Sequence, residues 1–262
     1  MDLTSCIGVV FGIICILVAQ AMEGGNIGQL MQITAAIIVF GGTAGAVMLS
    51  FPGEDLMNAL KSVQLIFFGA NVDFEKIIVE LIGYATKARK EGVIVLEKEA
   101  KNASDPLLRT GLEAVSDGAD PVLVRDLMET QLSQLEEQSA RVSKVWESAG
   151  GYTPTVGIIG AVLGLIQVMN NLADPSKLGA GIAVAFVATV YGVGSANLIF
   201  IPMGSKVKWK SKKLFIAKEI MIEGILSIQA GESPALIERK LRAFIIDKNQ
   251  TSAKGDAAEA KA

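Results

Sequence analysis

The sequence predicts an all-α integral membrane protein, with four transmembrane helices and a helical cytoplasmic insertion between helices 2 and 3. Three observations predict this. Charged residues make up 19% of the 262-residue chain, yet windows 3–22, 24–53, 148–173 and 178–205 hold none. Those windows are 20, 30, 26 and 28 residues long, while the longest comparable gap elsewhere, residues 62–72, is 11. About 20 apolar residues cross a hydrocarbon core roughly 30 Å thick, so all four windows are long enough and nothing else is. The third observation is where the basic residues fall. Of 24 Lys and Arg, 11 lie in 52–148 and 12 after residue 203, which leaves Lys177 alone in the short loops 22–30 and 173–178. Positive charge collects on the cytoplasmic side. The N-terminus, the middle segment and the C-terminus are therefore expected in the cytoplasm of a multi-pass inner-membrane protein, and the two short loops outside.

Each element has its own warrant. The first hairpin, 1–51, carries helices at 3–21 and 31–51. Buried core helices usually run about 10–14 apolar residues, shorter than any of these windows. The first window also has a reading as a cleaved signal peptide, because Ala19-Gln20-Ala21 fits the small-residue cleavage pattern. Asp2, and the lack of Lys or Arg before the apolar run, weigh against it. The segment 52–148 reads as the helical insertion. Within Lys76–Arg89 the residues Ile77, Ile78, Leu81, Ile82 and Ala85 recur on one face, the spacing of an amphipathic helix. Asp120-Pro121 reads as an N-cap followed by proline at the first helical position, opening a helix that heads toward span three. The second hairpin, 149–203, holds helices at 152–172 and 179–202. Residues 204–246 follow as C-terminal helices, with Lys206–Ile228 basic and amphipathic and a last helix from Ser233-Pro234 to near Ile246. The tail 247–262 is polar and small, and is expected to be disordered.

Composition excludes several function classes. A net charge of −3 gives no hint of nucleic-acid binding. Cys6 and Cys15 both fall in the first span and read as small fillers rather than a disulfide, and no spacing suits a metal or any other cofactor. There is no nucleotide motif and no catalytic triad candidate, so an enzyme reading finds no support. None of the 27 Asp and Glu lies within a span, and the chain has no histidine. An intramembrane proton relay normally uses those residues. Either a different chain supplies the carboxylate of an ion path, or the protein conducts nothing and is a scaffold or receptor. Composition leaves both open.

The second hairpin has a distinct texture. Gly157, Gly160 and Gly164 in span three, and Gly181, Ala185, Ala188, Gly192 and Ala196 in span four, stand at helical spacing. Small residues let helix backbones approach closely in lipid, and ordinary helix packing accounts for the glycines alone. The same hairpin also carries Thr153, Pro154, Thr155, Thr189, Tyr191, Ser195, Asn197 and Pro202. Polar groups in lipid are costly unless they face protein or water. This surface is therefore expected to face a partner helix or a wet path.

At the level of motifs the sequence resembles the MotA/PomA family of flagellar motor stator subunits. Span three reads YTPTVGIIGAVLGLIQVM, span four reads AVAFVATVYGVGSANLIFIPMGSKVK, and the insertion carries ATKARKEGVIVLEKE. The resemblance covers roughly residues 1–246. It implies a stator that couples inward proton flow to torque on the rotor protein FliG and powers motility. It also implies a MotB-like partner that supplies the missing membrane aspartate, and a ring of five such chains embedded in membrane lipid. Pro154 and Pro202 match two prolines that couple ion passage to cytoplasmic movement, with Thr155 beside the first. Thr189 matches the hydroxyl that lines the ion path. Sodium-type relatives carry threonine where Ala161 stands, so the resemblance implies a proton type. Arg89 and Glu97 match the charged pair that meets FliG, and would share one face if their stretch is helical. The alternatives are an energy transducer like ExbB or TolQ, which have three spans differently arranged, and a non-conducting membrane scaffold.

Overall fold

The computed structural model describes residues 2–68 and 72–243. All regular structure among them is helical. Four helical segments are long and apolar enough to cross a membrane, and begin at Leu3, Ile27, Pro121 and Leu178. Two compact units share the chain: Met1–Ala70 with Gln138–Lys210, and Asn71–Glu137 with Ser211–Ala262.

The first unit holds the spans. Helix α1 (Leu3–Met22) starts at Asp2, whose carboxylate accepts from Ser5 N. It buries no residue, as expected of a helix whose partner surface is lipid or another chain. A turn with Gly24 at φ 81° and a 3₁₀ segment, Ile27–Leu30, lead into α2. Helix α2 comprises Ile33–Ala36, a π-turn at Ile37–Gly41 and Gly42–Ser50. It stops because Pro52 disfavours helical backbone at the residue before it, and Phe51 is extended with φ −132°. Helix α3 (Gly53–Phe68) follows, with Glu54 and Asp55 favourably placed at its positive N-terminal end. Asp55 is buried and pairs with Arg141 Nε at 3.3 Å.

The third span, expected at 152–172, has no helix start at residue 152. It is the last part of α7 (Pro121–Asn170), 50 residues without a break, with Pro154 inside it. Val122 N donates to Asp120 at 2.8 Å, the cap expected at the Asp120-Pro121 step. The helix of the fourth span likewise runs on past 202. Helix α8 (Pro175–Ser195) passes through a π-turn, Ala196–Phe200, directly into α9 (Ile201–Gln229). Cys6 and Cys15 are free.

The second unit is built on α4 (Phe74–Glu91), α5 (Leu96–Ala100), α6 (Pro106–Ser116) and the adjoining parts of α7 and α9. Helix α4 buries Ile77, Ile78, Leu81 and Ala85 as the periodicity requires, and Tyr84 as well. Ile82 packs only partly against the same core. Leu108, Leu112, Met128, Ile220 and Ile225 are fully buried there, each worth about 2 kcal/mol relative to exposure. Residues 234–243 form the last described helix, and Leu236 N donates to Ser233 Oγ at 3.3 Å. The expected end near Ile246 and the tail 247–262 lie outside the described residues.

Candidate functional site: the seam between spans three and four

The small-residue stripes of α7 and α8 meet each other. A Cβ added at Gly157 would stand 2.9 Å from the Ala188 carbonyl oxygen and 3.1 Å from Gly192 Cα. One added at Gly164 would stand 2.7 Å from Ala185 N and 2.8 Å from the Gly181 oxygen. The two backbones touch, so no side chain fits between them. The glycines of the stripe are therefore packing residues. The helices approach closely because these positions lack side chains, and the seam is closed to any ion.

Ala161 and Thr189 flank this seam. Gly160 faces Ala188 across it, with 2.7 Å from an added Cβ to the Ala188 Cβ. Ala161 and Thr189 are each one residue further on, about 100° round their helices. In antiparallel helices the same offset falls on the same side, so the two residues share a flank and lie within about 3 Å of one another in depth. Thr189 is exposed in the single chain, and its hydroxyl donates to the Ala185 carbonyl at 3.2 Å.

The remaining polar groups are mostly satisfied within their own helices. Thr155 donates to the Tyr152 carbonyl at 2.7 Å, and Asn197 to that of Val193 at 2.9 Å. Thr153 donates to the Ala149 carbonyl. Tyr191 is different. Its hydroxyl donates to the Leu30 carbonyl at 2.5 Å and accepts from Gln32 N at 3.3 Å, and its ring stacks on Phe40. It fastens α8 to the start of α2, where Ala35 and Val39 pack on Val187 and Ala188.

Pro154 lies inside the unbroken α7, and Pro202 directly follows a π-turn. Proline has no N–H, so Pro154 cannot donate to the Gly150 carbonyl and Pro202 cannot donate to that of Leu198. Just before Pro202, Ile201 N donates to the Ala196 carbonyl, five residues back, which defines the π-turn. Across the seam, the Pro154 Cα would stand 3.3 Å from a Cβ added at Gly192. Pro154 and the π-turn thus lie in neighbouring layers of one helix pair. Beyond Pro202, Lys206 and Lys210 reach Asp2 at 2.9 and 3.1 Å. The hydrogen bond from Thr4, then these two ammonium groups, hold the Asp2 carboxyl well below the usual carboxylate range.

Arg89 and Glu97 occupy the second unit. Arg89 is exposed in the last turn of α4, and Glu97 is exposed in α5. They do not share a helix face. Gly92, at φ 86°, ends α4, and a 3₁₀ turn, Val93–Val95, separates the two. An ion pair between Lys87 and Glu99 at 2.7 Å ties α4 to α5 across this turn. The charged pair therefore stands on two short arms joined by a staple.

Two family models match the chain. Residues 99–220 match the MotA/TolQ/ExbB proton channel family, and residues 6–92 the Motility protein A N-terminal model. Motility protein A of Helicobacter pylori is 34% identical over 94% of this chain and 95% of its own length. The chain belongs to the motility protein A family. A chain of the C. jejuni MotAB structure matches with a TM-score of 0.87 at 32% identity, covering 93% of this chain and 96% of that one. The flagellar MotAB stator complex of Bacillus subtilis matches with a TM-score of 0.82 at 31% identity, covering 92% and 95%. For a member of this family, Pro154, Thr155, Ala161, Thr189 and Pro202 all fall within the proton-channel match, and Arg89 within the N-terminal one. Glu97 lies between the two matches. Sequence reasoning missed the π-turns, the Tyr191 fastening and the Asp2 clasp. The one signal available was Asp2 itself, an acidic residue at the mouth of an otherwise uncharged window.

Proposed function

We propose that this chain is the channel-forming subunit of a flagellar motor stator, coupling inward proton flow to torque on the rotor protein FliG. One observation carries the reading. Thr189 and Ala161 flank a seam closed by backbone contact, in spans that contain no Asp, Glu or His. An ion cannot pass between α7 and α8, so its path runs along their flank and is completed by another chain. A MotB-like helix supplying a carboxylate beside Thr189 meets that need. Several such chains around the partner, five by family resemblance, would enclose the path, with lipid outside.

The finer parts of the reading have separate supports. The basic residues favour cytoplasmic N- and C-termini and a cytoplasmic second unit. Arg89 and Glu97 then face the cytoplasm as exposed charges available to FliG. Pro154 and Pro202, beside the π-turn, are the positions at which the helix pair bends as the carboxylate titrates, with Thr155 on the same turn as Pro154. Sodium requires several oxygen ligands in place of water. The methyl group of Ala161 offers none beside Thr189, which favours protons.

A strain lacking this gene is expected to build intact but paralysed flagella, and swimming should return with the gene. Speed should be insensitive to external sodium and collapse with a protonophore. Normal swimming in the deletion strain would reject the stator role, whereas sodium-dependent speed would reject only the proton assignment.

A further inference from the structure

We propose that the basic end of the span bundle holds a binding site for one anionic glycerophospholipid, seated among α1, the end of α3 and the junction of α8 with α9. This inference rests on the membrane spans alone and is independent of the stator reading. A cavity of about 310 Å³ opens there, at the lower end of ligand-sized pockets. Its wall is apolar, built from Val9, Ile66, Phe67, Leu198, Ile199 and Met203. Its other end is polar and cationic, with Thr4, Ser5 and Lys206. Gly8 lines the groove, and no atom lies within 4 Å of where its Cβ would stand, so α1 leaves room along that side.

The charge balance selects the headgroup. Lys206 and Lys210 both pair with Asp2, which leaves a net charge of +1 from two ammonium groups and one carboxylate. Lys210 is otherwise occupied, donating to the Leu65 and Ile66 carbonyls at 2.8 and 2.6 Å. Lys206 keeps 31% of its side chain exposed and lines the cavity, so it is the ammonium with donors to spare. A phosphodiester carries one negative charge and restores neutrality. Trp209, 53% exposed and three residues further on, is the residue type that settles where acyl chains give way to headgroups.

Other occupants fit less well. A free phosphate would leave the apolar wall uncovered. An apolar helix from a second copy would press against Lys206 without a compensating charge, which is costly. A phospholipid supplies both an acyl chain for the wall and an anion for the lysine.

The test uses the full-length protein, purified in its assembled form in a nonionic detergent. It is titrated with phosphatidylglycerol, with phosphatidylcholine of the same chains, and with inorganic phosphate. Native mass spectrometry counts retained lipid, and the thermal midpoint is followed in parallel. Phosphatidylglycerol is expected to be retained roughly five-fold more strongly than phosphatidylcholine, and phosphate to have no effect. Lys206→Gln should abolish that preference. Gly8→Leu fills the groove without touching a charge and should weaken both lipids. Asp2→Asn raises the local charge and should tighten phosphatidylglycerol by roughly five-fold, the opposite of what a merely structural clasp predicts. Equal retention of the two lipids would overturn the proposal, as would wild-type retention in both Lys206→Gln and Gly8→Leu. A phosphate effect equal to that of phosphatidylglycerol, weaker phosphatidylglycerol binding in Asp2→Asn, or a Gly8→Leu change in oligomer size with lipid retention intact would each do the same.

Discussion

Replacing Gly192 with alanine tests whether the seam between spans three and four is as tight as its backbones indicate. The new methyl carbon would lie 2.9 Å from the Thr153 carbonyl oxygen, 3.1 Å from Gly157 Cα and 3.3 Å from Pro154 Cα. Ordinary carbon contacts are about 3.5–4.0 Å. All three neighbours are backbone atoms, so no side chain can rotate away and the helices must part by roughly half an ångström. Overpacking of this kind costs about 1–3 kcal/mol. Alanine also favours the helix by up to about 1 kcal/mol over glycine, which would mask part of the loss. Gly194, two residues on, has no atom within 4 Å of an added Cβ and serves as the control. The propensity gain is common to both variants and cancels in their difference. Gly192→Ala should therefore be less stable than Gly194→Ala by about 1–3 kcal/mol, measured as thermal or denaturant unfolding in one detergent. Equal stability of the two variants would refute the close-packed seam and leave the glycines without a packing role.

Charge reversal at Arg89 or Glu97 should abolish swimming while membrane levels stay normal, scored on soft agar and by immunoblot; swimming retained with both reversed would remove the docking role. Leucine at Pro154 or Pro202 should cut torque in tethered-cell rotation with little change in unfolding midpoint. In the second unit, Lys218 is 7% exposed and donates to both oxygens of Asp105 at 2.5 and 2.6 Å. Lys218→Ala should cost about 3 kcal/mol and the pair Lys218→Met with Asp105→Asn less, as read by hydrogen exchange of α6. The folded-state pKa of Asp2 is depressed, so the stability it contributes is present above the unfolded carboxylate value near 3.9 and is lost as pH falls through the lower folded value. The N-terminus should accordingly stay fastened from about pH 5 to 8, checked by labelling a cysteine placed at residue 3 in a chain whose free Cys6 and Cys15 are replaced by serine.

The membrane plan was legible because a bilayer demands it. A charge inside a span is so costly that four uncharged windows mark four spans, and proline after aspartate marked the start of α7 because both residues act locally. Helix ends were not legible near 152 and 202. A helix leaving a bilayer need not stop there, and the loss of apolar character marks the boundary of the lipid rather than of the helix. Arg89 and Glu97 were expected to share a face only if their stretch is helical, and their separation by a turn depends on Gly92 adopting positive φ, which a glycine permits without requiring. The roles of Ala161 and Thr189 came from the family resemblance alone, and their shared flank follows from the contact of Gly160 with Ala188. The π-turns have no composition of their own, because Ala196–Phe200 would serve equally well as ordinary α-helix.

The π-turn at Ala196–Phe200 also decides which way a lysine points. Ala188 and Lys206 are 18 residues apart, five whole turns at 3.6 residues each. Were the fourth span an uninterrupted α-helix, Lys206 would come round to the azimuth of Ala188 and drive its ammonium group toward α7. The extra residue in the π-turn sets everything after it back by about 100°. Met203 and Val207 instead pack on Val142, Val145 and Ala149, and Gly204 lies against Ser143 and Glu147. Lys206 is thereby turned aside to meet Asp2 at the head of α1. Rewinding Ala196–Phe200 as ordinary α-helix with every residue kept would swing that ammonium group into the contact with α7, whereas deleting one residue there would restore regular winding and leave Lys206 where it is, 17 residues from Ala188 and still about 100° aside.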